Sequence, residues 1–235
     1  MSFLIAVYVN EGIVLASDRR TTYTTTVKSE NQTISNFIYT CDSADKTFIC
    51  PNGAGLSRCG DSSLLEKPLN GYIQNMIREK IGPQCKVSDM PQIIMDYFNG
   101  FSSVPNVHFI VAGYETVDFV QRQLVYKLNV KDKSISKIPT EYQGATWDGE
   151  THTLTRLIMN TAVRLSDGTY SPLPYEEILW KYFTLQDAVD FVRYAVETTS
   201  QTMRFKNVRN TVGGKVDILV ITPEETRWLQ KETLK

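Results

Sequence analysis

Phe3-Leu4-Ile5-Ala6-Val7-Tyr8-Val9, then Asn10-Glu11-Gly12, then Ile13-Val14-Leu15-Ala16-Ser17 and the charged step Asp18-Arg19-Arg20 open the chain. The two apolar runs are rich in residues that favour extended backbone, and the short Gly-containing link between them supplies a tight turn. Together they predict a β-hairpin that starts at the first residues.

Working outward, Thr21 to Thr40 is rich in Thr, Ser and Asn, which predicts a polar excursion with a strand around Ile34 to Tyr39. Lys46 to Cys50 and Ala54 to Cys59 flank Pro51-Asn52-Gly53, the pattern of a second hairpin. Leu65, Leu69, Tyr72, Ile73, Met76 and Ile77 recur at helical spacing until Gly82-Pro83, with Pro68 as a kink or as the true start. Ser88 is placed to cap a second helix carrying Ile93, Ile94, Tyr97 and Phe98 on its apolar face.

Strands are expected at His108 to Ala112, Leu124 to Asn129 and Ser134 to Ile138, forming a second sheet. A third helix is marked by Leu154, Leu157, Ile158 and Ala162. A fourth opens on Thr184-Leu185-Gln186-Asp187, a capping-box pattern, with Ala188, Phe191, Val192, Ala195 and Val196 inward. Gly213-Gly214 and the strand from Val216 to Thr222 close the order. Strands, two helices, strands, two helices and a strand give an α+β layered domain. With no internal repeat or linker, one domain over 1–235 is expected.

At 235 residues and 42% hydrophobic, the chain can bury a sizeable core. The formal charge of -1, from 25 basic against 26 acidic residues, supplies no global attraction to nucleic acid or an anionic membrane. Neither a secretory signal nor a run of about 18 apolar residues is visible, so the expected compartment is the cytoplasm and no membrane contact is expected. Cys41, Cys50, Cys59 and Cys85 lack the paired short spacing of a zinc site and are read as free thiols, and no metal is expected. His108 and His152 are the two histidines, one in an apparent strand and one in an apparent helix, which leaves few members for a metal centre or a serine–histidine triad.

Ser2 follows Met1, and a small second residue normally permits methionine removal. A serine hydroxyl needs a base, an orienting charge and donors for an oxyanion. An α-amine, with a reference pKa of about 7.7 to 8.0, can take the hydroxyl proton near neutral pH without a histidine.

The run Gly12-Ile13-Val14-Leu15-Ala16-Ser17-Asp18-Arg19-Arg20-Thr21-Thr22 resembles the start of proteasome β-subunits and their bacterial relatives, HslV and Anbu. In that family the N-terminal threonine precedes the hairpin glycine by ten residues, and an aspartate follows six later. The same offsets lead here from Ser2 to Gly12 and Asp18. The family's lysine matches Lys46 in Ala44-Asp45-Lys46-Thr47-Phe48-Ile49, after an insertion, and its oxyanion glycine, fourteen residues on, matches Gly60. Looser matches follow at Phe109 to Glu115, Trp147 to Glu150 and Val212 to Asp217.

The resemblance implies a four-layer αββα sandwich of the N-terminal-nucleophile hydrolase kind, acting as a peptidase without a cofactor. Ser2 would be the nucleophile, Lys46 would depress the pKa of its amine, and Asp18 would hold Lys46 charged and in place. Gly60 would offer an amide to the oxyanion, at the start of a helix near Asp61 to Ser63. Arg58, Thr22 and Ser62 would bind substrate, with Arg58 favouring acidic side chains before the cut bond. The implied partners are peptides or unfolded proteins and copies of the chain in a ring, and an ATPase unfoldase fits the same scheme.

The departures from the family are a serine in place of threonine, an Arg209-Asn210-Thr211-Val212 stretch without the family's Asp and Ser, and Asp148 as a candidate partner of the amine. Two alternatives are a non-catalytic ring or scaffold subunit and an amidase of the same superfamily acting on a small amide.

Overall fold

The computed structural model describes residues 2–29 and 32–232, with the side chains of 24–37 left out; Met1 and its removal lie outside the described residues. The elements before the first helix are β1 (Phe3–Val9), β2 (Gly12–Ser17), β3 (Thr21–Ser29), β4 (Gln32–Cys41), β5 (Thr47–Ile49), β6 (Gly55–Gly60), β7 (Ser63–Leu64) and β8 (Lys67–Pro68). Next come α1 (Leu69–Lys80), α2 (Met90–Asn99), β9 (Val107–Val117), β10 (Val120–Asn129), β11 (Ser134–Ile138) and β12 (Gly144–Gly149). The chain continues through α3 (His152–Ile158), β13 (Ala162–Arg164), β14 (Tyr170–Pro172), α4 (Leu185–Met203), β15 (Asp217–Ile221) and β16 (Thr226–Gln230).

Two five-stranded antiparallel sheets dominate, ordered β12-β1-β2-β15-β16 and β11-β10-β9-β6-β5. The opening hairpin forms as expected, with Leu4 opposite Ser17 and Tyr8 opposite Ile13. All of β1 is buried because each of its faces meets a different neighbour. Phe3, Ile5, Val7 and Val9 join Ala188, Val192, Ala195 and Val196 of α4, whereas Leu4, Ala6 and Tyr8 join Ile110, Ala112 and Val125 of the second sheet. A strand covered on both faces needs apolar residues throughout, which accounts for the unbroken run. The opposite face of the second sheet, through Leu56, Phe109 and Val111, packs on Leu69, Ile73 and Met76 of α1 and Ile94 and Phe98 of α2.

Local signals mostly fell where their chemistry put them. Thr184 and Asp187 form the reciprocal capping box of α4. The polar excursion is a long antiparallel pair, β3 with β4.

One open alternative is decided and two readings are corrected. The first long helix begins at Leu69, so Pro68 marks its start rather than a kink and Leu65 lies outside it, because Leu65 and Glu66 turn the β7–β8 hairpin at φ +48° and +62° and Pro68 sits at the N-cap. Asp89, not Ser88, occupies the N-cap of α2, and the Ser88 amide donates to Glu115 instead. Helix α3 stops at Ile158, so Ala162 starts β13. Trp147 to Gly149, within one of the looser family matches, end β12 and pair with β1 just before α3. No helix among the described residues is long and apolar enough to cross a membrane.

Candidate active site

Asp18 follows β2 at the end of the opening hairpin and is fully buried. Its Oδ1 accepts from the Phe3 amide at 3.0 Å and from Lys46 Nζ at 2.7 Å. Its Oδ2 accepts from the amides of Arg20 at 3.0 Å and Gly213 at 2.9 Å. One carboxylate thus ties together the first strand, the start of the polar excursion, the segment before β15 and the lysine. A buried charge demands such satisfaction.

Lys46 lies immediately before β5, with its side chain sealed from solvent. Besides Asp18, its ammonium donates to the Arg20 carbonyl. Burial lowers its pKa from the usual lysine range to about 8, although Asp18 favours the charged form. This places a proton-exchanging amine in the physiological range beneath the chain's first residues.

A second, partly buried ion cluster braces this pair from outside. Arg19 Nη1 donates to Asp45 at 2.9 Å and Asp217 at 2.8 Å, and Lys231 Nζ reaches the same two carboxylates at 2.6 and 2.9 Å. Arg19 adjoins Asp18 in sequence and Asp45 adjoins Lys46, so both flanks of the central pair are anchored to β15 and to the segment after β16.

Ser2 is 3% exposed, and its carbonyl accepts from the Glu150 amide at 2.8 Å. Among the described residues no hydrogen bond joins Ser2 directly to Lys46; the connection runs through the Phe3 amide and Asp18. Gly149 is required beside Ser2: at φ +88° a Cβ there would stand 1.8 Å from the Ser2 carbonyl oxygen.

Gly60 ends β6 at φ +103°, where a Cβ would lie 2.2 Å from the Asn106 oxygen. No helix begins at Asp61 to Ser63: the β7–β8 hairpin intervenes, so the expected helix N-terminus is absent from this place. Instead Asp61 and Asn106 exchange hydrogen bonds that fix the backbone after Gly60.

Arg58, expected on a pocket wall, is 2% exposed. Its guanidinium donates to the Asp61 carbonyl at 3.2 Å and to Asn70 Oδ1 at 2.7 Å, while its buried Nε has no partner. Burial pulls its pKa below the ordinary arginine range. The Ser62 hydroxyl donates to the Thr22 carbonyl at 3.2 Å, bringing two of the expected substrate-binding residues together. Thr22 also borders a cleft of about 840 Å³ shared with Gly149, Glu150, Arg156, Lys206 and Arg209. His152, at the start of α3, lines the same cleft; Ser2, Lys46 and Arg58 do not.

Asp148 was a candidate partner of the terminal amine, but its carboxylate faces the other sheet. His108 Nδ1 lies 3.2 Å from Oδ1, Lys127 Nζ lies 3.4 Å from Oδ2, and the Gly149 amide donates to Oδ1 at 2.7 Å. Burial opposes its charge, yet His108, Lys127 and the Gly149 amide hold its pKa below the usual carboxylate range. The bond to Asp148 raises that of His108. In the stretch lacking the family's Asp and Ser, Thr211 Oγ1 donates to Glu150 Oε1 at 3.0 Å. All four cysteines are free thiols, and burial pushes those of Cys50 and Cys59 up to about 12.

The sequence reading missed Gly149, Glu150 and Gly213, whose backbones position Ser2 and Asp18. The signal available for them was the Gly-Glu and Gly-Gly pairs themselves, which are too common to assign alone.

No protein-family model matches the chain, and no curated protein matches it in sequence. Among solved structures, the fold is similar to Anbu (ancestral beta-subunit) from Yersinia bercovieri, at a TM-score of 0.56 and 12% identity over 98% of this chain and 88% of that one. The class defined by the architecture is therefore a proteasome-like fold. At this identity the likeness is one of fold.

Proposed function

We propose that the chain is a proteasome-like N-terminal-nucleophile peptidase, with Ser2 as nucleophile once Met1 is removed. The observation that carries this reading is the buried Asp18–Lys46 pair, held beneath residues 2 and 3 by the Phe3 amide at the position the sequence offsets assign. The freed α-amine of Ser2 takes the hydroxyl proton as the hydroxyl attacks a peptide carbonyl, and returns it to the leaving amine. Lys46 tunes that amine by its charge, and Asp18 sets where the charge sits. Gly60 is the proposed oxyanion donor, through backbone geometry rather than a helix terminus. Thr22, Ser62 and Arg58 border the substrate.

The three apolar clusters support a four-layer αββα sandwich as the reading of the fold, with one cluster between the sheets and one beneath each helical pair. Peptides or unfolded proteins are the proposed substrates, inside a homo-oligomeric ring in the cytoplasm, with an ATPase unfoldase as a candidate partner. The burial of Ser2 and its absence from the cleft wall favour a second reading, a non-catalytic ring subunit.

Intact mass of the purified protein, together with labelling by an epoxyketone, separates the two. The peptidase reading expects a chain lacking Met1, labelled at Ser2 alone. Hydrolysis and labelling should both be lost in Ser2→Ala and retained in Ser2→Thr. Hydrolysis by a chain that keeps Met1 would overturn the mechanism. Retained Met1 with no turnover of any peptide or amide would make the scaffold reading the better one.

A further inference from the structure

Cys59 and His108 are direct cross-strand partners in β6 and β9, so their side chains leave the second sheet on the same face. That face is the one turned toward the first sheet, because Cys59 packs with Ile110 and Ala112 against Leu4 and Leu15. Opposite them Asp148 pairs with Leu4 in β12 and enters the same gap. One ligating atom from each of the three residues lies within 4.8 Å of the others, and His108 Nδ1 to Asp148 Oδ1 is 3.2 Å.

An ion pair of His108 and Lys127 with Asp148 accounts for two of the three residues. It leaves out Cys59, which is 2% exposed and whose thiol makes no hydrogen bond among the described residues. Lys127 is satisfied independently by the Trp147 carbonyl at 2.8 Å and touches Asp148 only at Oδ2, 3.4 Å away, while His108 Nδ1 lies 3.2 Å from Oδ1 and 3.3 Å from Oδ2. The His108 and Asp148 side chains are 29% and 17% exposed, which gives an ion a path in from solvent.

We propose that Cys59, His108 and Asp148 bind a divalent transition-metal ion of the zinc type between the two sheets. One thiolate, one imidazole and one carboxylate are the donors this ion prefers, with a fourth tetrahedral position left for water. On binding, the Cys59 S–H bond breaks, a sulfur–metal bond forms and the proton leaves to solvent, with no change of oxidation state. The ion would pin β6 and β9 of one sheet to β12 of the other, next to Gly149 and the Ser2 carbonyl. The short paired spacing sought in the sequence is absent because the three ligands come from three separate strands. The proposal is independent of any catalytic role for Ser2.

Titration of the full chain with Co²⁺ alone tests it. One equivalent should develop a sulfur-to-cobalt charge-transfer absorption that Zn²⁺ then abolishes. Cys59→Ser should lose the absorption, His108→Gln and Asp148→Asn should weaken binding tenfold or more, and Cys50→Ser should leave it unchanged. An absorption that persists in Cys59→Ser, no absorption in the unaltered chain, or equal affinity in the His108 and Asp148 variants would overturn the site. Should a variant fail to fold, X-ray absorption on the zinc-loaded unaltered chain decides. One sulfur at about 2.3 Å with nitrogen and oxygen at about 2.0 to 2.2 Å supports the site. A shell without sulfur, or with several sulfurs, refutes it.

Discussion

Lys46 Nζ stands 2.7 Å from Asp18 Oδ1 with neither side chain open to solvent, and Asp18 spends its remaining acceptor capacity on three backbone amides. Asp18→Asn therefore has no harmless orientation. Its NH₂ must face either the Phe3 amide and the Lys46 ammonium or the amides of Arg20 and Gly213, donors in both cases. The loss should be about 3 to 5 kcal/mol, the range for an abandoned buried charge. Urea denaturation measures it, and a loss under about 1 kcal/mol would show that Asp18 does not organise this end of the molecule.

The same lysine predicts a pH dependence of stability. Its pKa is about 8 when folded, from 10.5 ordinarily, with burial as the dominant cause. Between those values the unfolded chain holds a proton that the folded chain has released, so stability rises with pH across about 8 to 10.5. Relative to Lys46→Met, the unaltered protein should gain on the order of 3 kcal/mol over that window, at about 1.36 kcal/mol per unit. The cysteines are common to both proteins and cancel in the difference. A difference that shrinks with rising pH would contradict the assignment.

Hydrolysis, under the proposed role of Lys46, should vanish in Lys46→Ala while the fold survives at reduced stability, because Asp18 loses its countercharge but keeps three amide donors. Circular dichroism and peptide turnover measured on one sample distinguish loss of function from loss of structure.

Gly60→Ala should destabilise by about 2 kcal/mol or more, since φ +103° is foreign to an L side chain and the new methyl would meet backbone rather than a yielding side chain. A shift of under 0.5 kcal/mol in the denaturation midpoint energy would show that this turn relaxes freely.

Arg58 carries its charge almost wholly out of water, with Nε unpartnered. A peptide library should show cleavage favoured after acidic residues, and Arg58→Met should erase the bias while leaving cleavage after apolar residues. Equal cleavage after both kinds by the unaltered protein would remove Arg58 from the specificity pocket.

Much of this arrangement was legible in sequence where chemistry and spacing coincide. The opening hairpin is readable because its apolar runs are long, and Asp18 because that hairpin fixes its offset from Ser2 and Gly12, whereas Lys46 lies beyond an insertion and is legible only through its spacing of fourteen residues to Gly60. Pro68 was legible as a kink or a helix start, but Leu65 fits the helical spacing without belonging to the helix, because it and Glu66 adopt left-handed backbone that neither residue advertises. β12 was overlooked since Gly144 to Gly149 shows no alternation, and the closing β16 because Thr226 to Gln230 mixes polar and apolar residues at a sheet edge. Neither Asp148 nor Cys59 revealed its partner, since cross-sheet neighbours leave no trace in local periodicity.

The Gly213 amide on Asp18 and the Lys231 ammonium on Asp45 set an order in time as well as in space. During synthesis the residues at the start of the chain emerge first, yet the carboxylate beneath them remains short of a donor until roughly two hundred more residues have left the ribosome. Contacts so distant in sequence form late. A nascent chain would therefore carry an unfinished centre, with Asp18 lacking the Gly213 donor, for most of its elongation.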